Sequence, residues 1–309
     1  MRLFLGVDGG KSATAALIGD ETGRVLGTGR AGPCNHAAEA EGRAKLERAV
    51  RDSLAAACAE AGLDRSAIRF EAACLGMSGG PDDKRAILSE LLATDQLIVT
   101  TDAEIALSAA VEAGQGIIVI AGTGSIALGR RHAGQLVRAG GWGYVFGDEG
   151  SAFDIVRQAV RAALRMEEGW GPPTTLREAL LEATGSLDSN ETLHRFYTPE
   201  WPRDRIAALA PLVDQAAGAG DTAAIEILNA AAQQLALFAA SVRAQLWKPG
   251  EPAAIAYLGG VFESARLRER FRLLVELESG NRCGPPKRSA AEGALLEAYR
   301  AAGLNISPE

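Results

Sequence analysis

Cysteine and histidine are scarce in this sequence, and neither is spaced as metal ligands or disulfide partners usually are. The 309 residues contain four cysteines and three histidines, with no Cys-x-x-Cys pair and no His-Glu-x-x-His run. Widely separated cysteines are typical of reduced thiols in a cytosolic protein. We therefore expect no structural zinc site and a cytoplasmic location. The cysteines are Cys34, Cys58, Cys74 and Cys283.

Positive charge and long apolar runs are also lacking. Lysine and arginine number 32 against 39 aspartates and glutamates, a net charge of −7, which argues against nucleic acid or an anionic membrane as a partner. No uninterrupted apolar run reaches the ~18 residues of a membrane span, and the first residues lack the features of a signal peptide. We expect a globular protein, and its length favours two domains.

Apolar segments alternate with glycine-rich turns in an order that occurs twice. The first copy predicts βββαβαβα, with strands over 2–8, 12–18, 24–30, 70–77 and 97–101 and helices over about 40–61, 82–93 and 103–112. The second predicts strands over 116–121, 125–131, 136–139 and 254–259, helices over about 150–166, 263–277 and 290–302, and a mostly helical insertion that includes 221–247. Strands joined by helical crossovers predict a mixed sheet in each copy.

Three of these helices carry an apolar stripe at helical spacing. The predicted stripes are Leu46, Val50, Leu54 and Cys58 in the first, Phe153, Val156, Val160 and Leu164 in the second, and Ile225, Leu228, Leu235, Val242 and Leu246 in the third. We expect each stripe to face a core.

A duplicated unit predicts a cleft between its copies, and ligands usually bind in such clefts. The repeated motif is strand, glycine turn and strand, over 6–17 and 120–128. We expect one domain over residues 1–114 plus 290–309 and the other over residues 115–289.

The first glycine turn, Gly9-Gly10-Lys11-Ser12, follows an apolar strand that ends near Asp8. A Walker A loop would need glycine where this chain has Leu5, and a helix where the following residues predict a strand. A hairpin turn without side chains lets backbone N–H groups approach a phosphate, and Asp8 could hold Mg²⁺ through water. A plain hairpin turn is the alternative.

Two further segments pair a glycine or a cap with polar side chains. Gly122-Thr123-Gly124-Ser125 repeats the glycine turn and offers two hydroxyls for a second phosphate contact. Thr101 and Glu104 form the pattern of a capping box, which leaves Asp102 at the first helical position. Asp102 can then either accept a proton from an attacking hydroxyl or serve only at the helix start.

The glycine-dense stretch over 140–151 predicts a binding loop, because so many glycines cost conformational entropy unless the backbone needs unusual angles or close ligand approach. Asp148 could bind sugar hydroxyls or cap the next helix, and Trp142 could face a sugar ring or a core. Gly259 and Gly260, which end a strand, could lie against an adenine ring or form a simple turn.

Taken together and in order, these motifs resemble N-acetylglucosamine kinases and the wider BadF/BadG-type ATPase family. They are GVDGGKS, the Asn35-His36 pair, TDA, GTGS, GGWG with GDEGSA, and LGGVFES. The resemblance spans almost the whole chain, and GGWGxxxGDEGSA is its most specific element. It implies an actin-like ATPase fold of two RNase H-like domains facing a cleft, with ATP and Mg²⁺ as cofactors and an amino sugar as the small-molecule partner.

The resemblance also implies roles for particular residues. Asp102 matches the catalytic base, and Asp8 the metal-binding carboxylate. The nucleotide contacts are implied to be Asp8, Gly9, Gly10, Ser12, Thr123, Gly259, Gly260 and Ser264. The hexosamine contacts are implied to be Asn35, His36, Asp102, Gly141, Trp142 and Asp148.

Two positions depart from the family pattern, and several alternatives stay open. Lys11 stands where glycine is common, and Ile126 stands where animal members have asparagine. The expected reaction forms hexosamine 6-phosphate; a glucosamine or N-acetylmuramic acid kinase is the alternative within enzymes. An activator ATPase with an iron–sulfur cluster is the alternative of another class, although the cysteine spacing does not suit one. The sequence leaves a homodimer open.

Overall fold

The computed structural model describes residues 1–10, 12–34, 41–79, 82–111, 114–132 and 134–306. It divides into two compact units, the first formed by Met1–Gln115 with Pro286–Glu309 and the second by Gly116–Pro285. Lys11, Asn35 and His36, to which the sequence assigned possible contacts, lie outside the described residues.

Ten strands and eleven α-helices are found in the described part of the chain. The strands are β1 (Leu3–Gly9), β2 (Thr14–Asp20), β3 (Val25–Ala31), β4 (Phe70–Met77), β5 (Thr94–Thr101), β6 (Gly116–Ala121), β7 (Ser125–Arg130), β8 (Leu136–Gly140), β9 (Ala253–Leu258) and β10 (Asn281–Gly284). The helices are α1 (Gly42–Ala61), α2 (Arg85–Leu91), α3 (Asp102–Ala110), α4 (Ala152–Glu167), α5 (Leu176–Thr184), α6 (Ser189–Phe196), α7 (Arg203–Ala207), α8 (Ala210–Gly218), α9 (Thr222–Leu246), α10 (Ala265–Glu276) and α11 (Ala290–Ala301). A 3₁₀ turn, Gly260–Glu263, precedes α10.

The two units repeat one sheet topology. The first sheet has the strand order β3-β2-β1-β4-β5 and the second β10-β9-β6-β7-β8. In each, the first three strands form an antiparallel meander and the later strands pair in parallel with it. The duplication expected from the sequence is confirmed at the level of strand order.

The first sheet is covered on both faces. On one face α1 buries Leu46, Val50, Leu54 and Cys58, as its apolar spacing predicts. On the other face α11 packs against β1 and α3, and Phe4 and Tyr299 bring their ring centroids within 4.8 Å. The helix approaches so closely that a Cβ at Gly6 would collide with the α11 backbone at Leu295. Glycine in the central strand therefore sets this packing distance.

The second unit has the larger core. Strand β6 is apolar throughout and almost wholly buried, as expected for a central strand covered on both faces. Helix α9 buries Leu228, Leu235 and Val242 in the same core.

Three local predictions were wrong. Strand β10 was missed, because four residues that include Arg282 and a glycine give no apolar signal. Helix α2 is shorter than the expected 82–93. On α4, Val156 is buried and Phe153 and Val160 pack against the core as expected, but Leu164 does not and lines a surface cavity. The helix buries Ile155 and Ala163 instead.

Helix α9 is the one described helix that is long and apolar enough to cross a membrane, by length and composition alone. Its sequence was not predicted to span a membrane, because polar residues interrupt its apolar run. Within its most apolar window, 44% of the residues are buried in the protein. The helix thus has a core role in the second unit.

Candidate active site

The carboxyl ends of three parallel strands meet at one edge of the first sheet. The register places Gly9 beside Met77 and Met77 beside Thr101. Asp8, near the end of β1, and Asp102, just after β5, therefore lie at the same edge. Open α/β sheets commonly bind ligands at this edge.

Asp102 is exposed at the start of α3, and the cap belongs to its neighbour. The Thr101 hydroxyl accepts the Glu104 N–H at 3.2 Å, so the helix start does not depend on Asp102 for its cap. Its carboxylate accepts the hydroxyl hydrogen of Ser78 at 2.7 Å and the N–H of Ala103 at 2.9 Å. Solvent reaches the carboxylate, which leaves it able to accept a proton.

Asp8 is a half-buried carboxylate whose charge is disfavoured. Burial, and secondarily the negative charge of Asp102, raise its pKa from 3.8 to about 6. A divalent cation beside these two carboxylates would offset both effects. No group of three potential metal ligands occurs among the described residues.

The first glycine turn is a tight hairpin. The Gly10 N–H donates to the Ala13 carbonyl at 3.0 Å, and the Gly10 carbonyl accepts from the Cys34 N–H at 3.0 Å. Both backbone groups of Gly10 are thus engaged within the protein, so the expectation that its N–H faces a phosphate does not hold in this conformation. Ser12 is exposed and offers a hydroxyl at the same turn.

A second strand edge carries the other glycine motifs. Ile120 in β6 lies beside Leu258 in β9, so the turns that follow both strands are adjacent. Gly259 has φ 110°, and a Cβ at this position would collide with the Ala121 carbonyl oxygen. Only glycine fits here, because the backbone is both left-handed and in contact with its neighbour.

A cavity of about 520 Å³ lies at this edge of the second sheet. Thr123, Gly260 and Ser264 line it, together with apolar groups and the carboxylates of Asp204, Asp214 and Glu263. The Ser264 hydroxyl donates to Asp214 and accepts the Leu267 N–H at 3.3 Å as the cap of α10. The cavity combines an apolar body with polar groups, as nucleoside sites do.

The second glycine turn presents one hydroxyl rather than two. Thr123 is exposed, whereas the Ser125 hydroxyl is buried and donates to the Glu149 carbonyl at 2.7 Å. The Ser125 N–H donates to an Asp148 carboxylate oxygen at 3.1 Å. Thr123 is the member of this turn that remains free to meet a phosphate.

The glycine-dense loop has the unusual backbone angles that its composition predicts. Gly140, Gly141, Gly143 and Gly150 have φ between 74° and 78°, and Asp148 has φ 62°. Asp148 does not cap α4.

The N-cap of α4 is Ser151, whose hydroxyl accepts the Asp154 N–H at 3.2 Å. The carboxylate of Asp148 is buried and faces the second glycine turn.

Trp142 belongs to the surface rather than to a core. It is 65% exposed, and the Arg138 guanidinium lies 4.5 Å from the centre of its ring. Beside it, Gly141 packs on Ile126, whose side chain a Cβ at Gly141 would meet at 2.8 Å. Ile126 therefore supports the loop from below.

Sequence reasoning missed two residues at these edges. Ser78 follows β4 and donates to Asp102, and the meeting of parallel strand ends could have identified it. Arg203 begins α7 and contacts Asp148 and Thr123. No sequence signal points to Arg203, because its contacts depend on how the helical insertion folds back.

The chain matches known proteins along nearly its full length. The model of the BadF/BadG/BcrA/BcrD ATPase family matches residues 5–298. An N-acetylmuramic acid/N-acetylglucosamine kinase of Clostridium acetobutylicum is 31% identical over 285 residues, covering 90% of this chain and 91% of that protein. An N-acetyl-D-glucosamine kinase of Dictyostelium discoideum is 30% identical over 282 residues, covering 84% and 86%.

Solved structures agree on the fold. A protein of Chromobacterium violaceum, assigned as an N-acetylglucosamine kinase, has a TM-score of 0.75 at 29% identity and covers 96% of this chain and 98% of its own. A ROK family glucokinase of Streptomyces griseus has a TM-score of 0.54 at 21% identity over 97% and 99%. The expected fold class, two RNase H-like units of the actin-like ATPase type, is confirmed. The chain belongs to the BadF/BadG/BcrA/BcrD ATPase family and, like its curated relatives, is a phosphotransferase.

Proposed function

We propose that this enzyme transfers the γ-phosphoryl group of ATP to the 6-hydroxyl of N-acetylglucosamine. The observation that carries the proposal is that the relatives from Clostridium acetobutylicum and Dictyostelium discoideum, which match 90% and 84% of the chain, are both named for this sugar. The two strand edges described above supply the groups that such a reaction needs.

The nucleotide contacts follow the two glycine turns. The 520 Å³ cavity, with Gly260 and Ser264 in its wall, suits an adenosine moiety. Gly259 completes this turn. The exposed hydroxyl of Thr123 is assigned to the phosphates, and so is the first turn through Asp8, Gly9 and Ser12. Gly10, whose N–H donates to the Ala13 carbonyl, gives this turn its shape.

By family resemblance, the sugar contacts are assigned to the glycine-dense loop and to Asp102. Gly141 offers backbone, Trp142 an exposed aromatic face and Asp148 a carboxylate. Asn35 and His36 complete the set by family resemblance, outside the described residues. Polar groups around an aromatic face suit a hydroxylated ring.

In the proposed reaction the sugar's 6-oxygen forms a bond to the γ-phosphorus while the bond from that phosphorus to the bridging oxygen of ADP breaks. The hydroxyl proton moves to the exposed carboxylate of Asp102, which Ser78 orients. When bound, Mg²⁺ would neutralise charge on the transferred group, with Asp8 holding it. Positioning and electrostatics supply most of the catalysis in phosphoryl transfer.

The alternatives differ in substrate or in class. The Clostridium acetobutylicum relative is also named for N-acetylmuramic acid, and a 25% identical relative from Vibrio cholerae is a glucosamine kinase. An iron–sulfur activator has less support, because Cys34, Cys58 and Cys74 are buried and Cys283 is half-buried. The wide spacing of the four cysteines supports a cytoplasmic location. The net charge of −7 supports small molecules as partners rather than nucleic acid or membranes.

A coupled ADP-release assay over N-acetylglucosamine, glucosamine, N-acetylmuramic acid, N-acetylmannosamine and glucose tests the proposal. We expect the highest kcat/KM with N-acetylglucosamine, and phosphorus-coupled NMR of its product should locate the phosphate on carbon 6. A preference for another amino sugar would revise the substrate. ATP hydrolysis unaffected by all five sugars would defeat the sugar-kinase assignment.

A further inference from the structure

Arg203 joins the second glycine turn to the glycine-dense loop. One of its terminal nitrogens, Nη2, donates to the Thr123 carbonyl at 3.0 Å and also forms an ion pair with Asp148. The Asp148 side chain is only 5% exposed. The remaining oxygen of that carboxylate accepts the Ser125 N–H at 3.1 Å. Arginine, carboxylate and turn thus form one continuous bonded group.

Aromatic rings fix the direction from which Arg203 approaches. Its guanidinium lies 5.3 Å from the ring centre of Tyr144 and 5.9 Å from that of Phe153, distances at which a cation is attracted to a ring face. Its Nε–H is buried without a hydrogen-bond partner. The contacts of Nη2 and of the two rings therefore position Arg203, although one of its own N–H groups has no hydrogen-bond partner.

Loss of the Arg203 guanidinium would affect both of the residues that it contacts, Asp148 and Thr123. Without the guanidinium, Asp148 would be a buried carboxylate with a single backbone donor, an arrangement that is strongly disfavoured. The Thr123 carbonyl would lose its side-chain donor at the same time. The next residue along α7, Asp204, lines the 520 Å³ cavity.

We propose that Arg203 is a positioning residue that couples sugar recognition to phosphate binding. It holds the buried Asp148 carboxylate, and with it the glycine-dense loop, against the second glycine turn, and it fixes the turn that carries Thr123. This inference rests on the proposed function, because Asp148 and Thr123 have these ligands only in an amino-sugar kinase. Nothing in the family resemblance assigns a role to Arg203.

Three single variants separate this role from simple support of the fold. Arg203→Met removes the charge and every side-chain donor, Arg203→Lys keeps a positive charge and N–H donors, and Arg205→Met is the matched control. Arg205 lies on the same helix, stacks on Trp201 at 4.0 Å and donates to the Glu200 carbonyl at 2.7 Å. It contacts neither glycine-rich segment.

We expect Arg203→Met to raise KM for both the sugar and ATP and to lower kcat/KM by about 10- to 100-fold, the usual effect of losing a hydrogen bond to a charged group. Arg203→Lys should recover most of this loss, and Arg205→Met should match the wild type. The increase in sugar affinity that an unreactive ATP analogue produces in the wild type should be absent in Arg203→Met. A residue that only stabilises the fold would lower the active fraction without changing either KM.

The double variant Arg203→Met/Asp148→Asn covers the case in which the single variant fails to fold, because an amide needs no counter-charge. We expect it to fold, to remain at least as slow as Arg203→Met, and to show no ATP-analogue effect on sugar affinity. Wild-type KM values in a folded Arg203→Met, or restored coupling in the double variant, would overturn the inference. An inactive wild type on all five sugars would instead overturn the proposed function.

Discussion

The carboxylates at the two strand edges lie in opposite electrostatic environments. At the edge of the first sheet, Asp8 and Asp102 have no basic partner among the described residues, and each lies close enough to the other for Asp102 to raise the pKa of Asp8. At the edge of the second sheet, Asp148 is buried and paired with Arg203. A carboxylate that must bind a cation or accept a proton has to remain unpaired, whereas one that only orients a ligand can be neutralised by the protein.

Replacing Asp102 tests the first edge most severely. Asp102→Asn keeps the size of the side chain and removes its ability to accept a proton, so we expect kcat to fall by roughly 10²–10⁴-fold. Dissociation constants for sugar and nucleotide, measured by calorimetry, should stay near wild type. Glu104→Gln, two residues further along the same helix, is the control and should retain activity because it keeps the backbone N–H that the Thr101 hydroxyl caps. Near-wild-type turnover in Asp102→Asn would leave Asp102 with a helix-start role only.

The charged carboxylate of Asp8 should lower the free energy of unfolding at neutral pH when no metal is bound. Its folded pKa of about 6 exceeds the ordinary 3.8, so the folded state binds a proton more tightly and stability falls as pH rises through this window. Asp8→Asn should therefore raise the free energy of unfolding by about 2–3 kcal/mol at pH 7.5 and by much less at pH 4. Denaturant titrations in EDTA measure both values.

Asp20 provides the control of opposite sign. Hydrogen bonds from Thr22 and Arg24 outweigh burial and lower its pKa, so its contribution is present at neutral pH and lost in acid. Asp20→Asn should not stabilise the protein at pH 7.5. Equal effects of Asp8→Asn and Asp20→Asn on the free energy of unfolding would contradict this contrast between a carboxylate with a raised pKa and one with a lowered pKa.

Ser78 should matter less than Asp102 but through the same carboxylate. Ser78→Ala removes the hydroxyl that donates to Asp102 at 2.7 Å, and we expect about a tenfold loss of kcat, within the range for hydrogen bonds to charged groups. Ser78→Thr keeps the donor and should restore most of the rate. Failure of threonine to restore any activity would assign Ser78 to packing rather than to orientation of the base.

The fluorescence of Trp142 should report sugar binding at the edge of the second sheet. This is the smallest of the effects that we expect. Sugar should change the fluorescence of the native protein and of Trp170→Phe, and not that of Trp142→Phe. The two tryptophans are matched, since both are 65% exposed and each lies under an arginine, at 4.5 Å for Trp142 and 5.0 Å for Trp170. An undiminished signal in Trp142→Phe would remove the glycine-dense loop from the sugar site.

Apolar spacing and glycine position predicted the elements that order the two sheets. Leu46, Val50 and Leu54 identified the buried face of α1, and a wholly apolar run identified β6, because burial on a core leaves a periodic trace in one segment. Strand β10 left no such trace, since its pairing with β9 is made through the backbone. Contacts between distant segments were equally invisible.

The site shows the same division. Asp102 could be named from its place after a strand, and Asp148 from the motif around it. The bond from Cys34 to the Gly10 carbonyl, the inward turn of the Ser125 hydroxyl and the approach of Arg203 all depend on residues far along the chain. Local sequence therefore predicts which loops carry polar groups, and only the folded structure shows which of those groups are already satisfied.

The return of α11 to the first unit also constrains how this protein can be made. During synthesis, β1 and the first glycine turn leave the ribosome well over 200 residues before α11, the helix that packs on Gly6 and Phe4. At about 5–20 residues per second, the first unit waits tens of seconds for its final helix. Throughout that time the nascent chain holds an incomplete core beside Asp8, so we expect phosphoryl transfer to begin only after α11 has been synthesised and has packed on the first sheet.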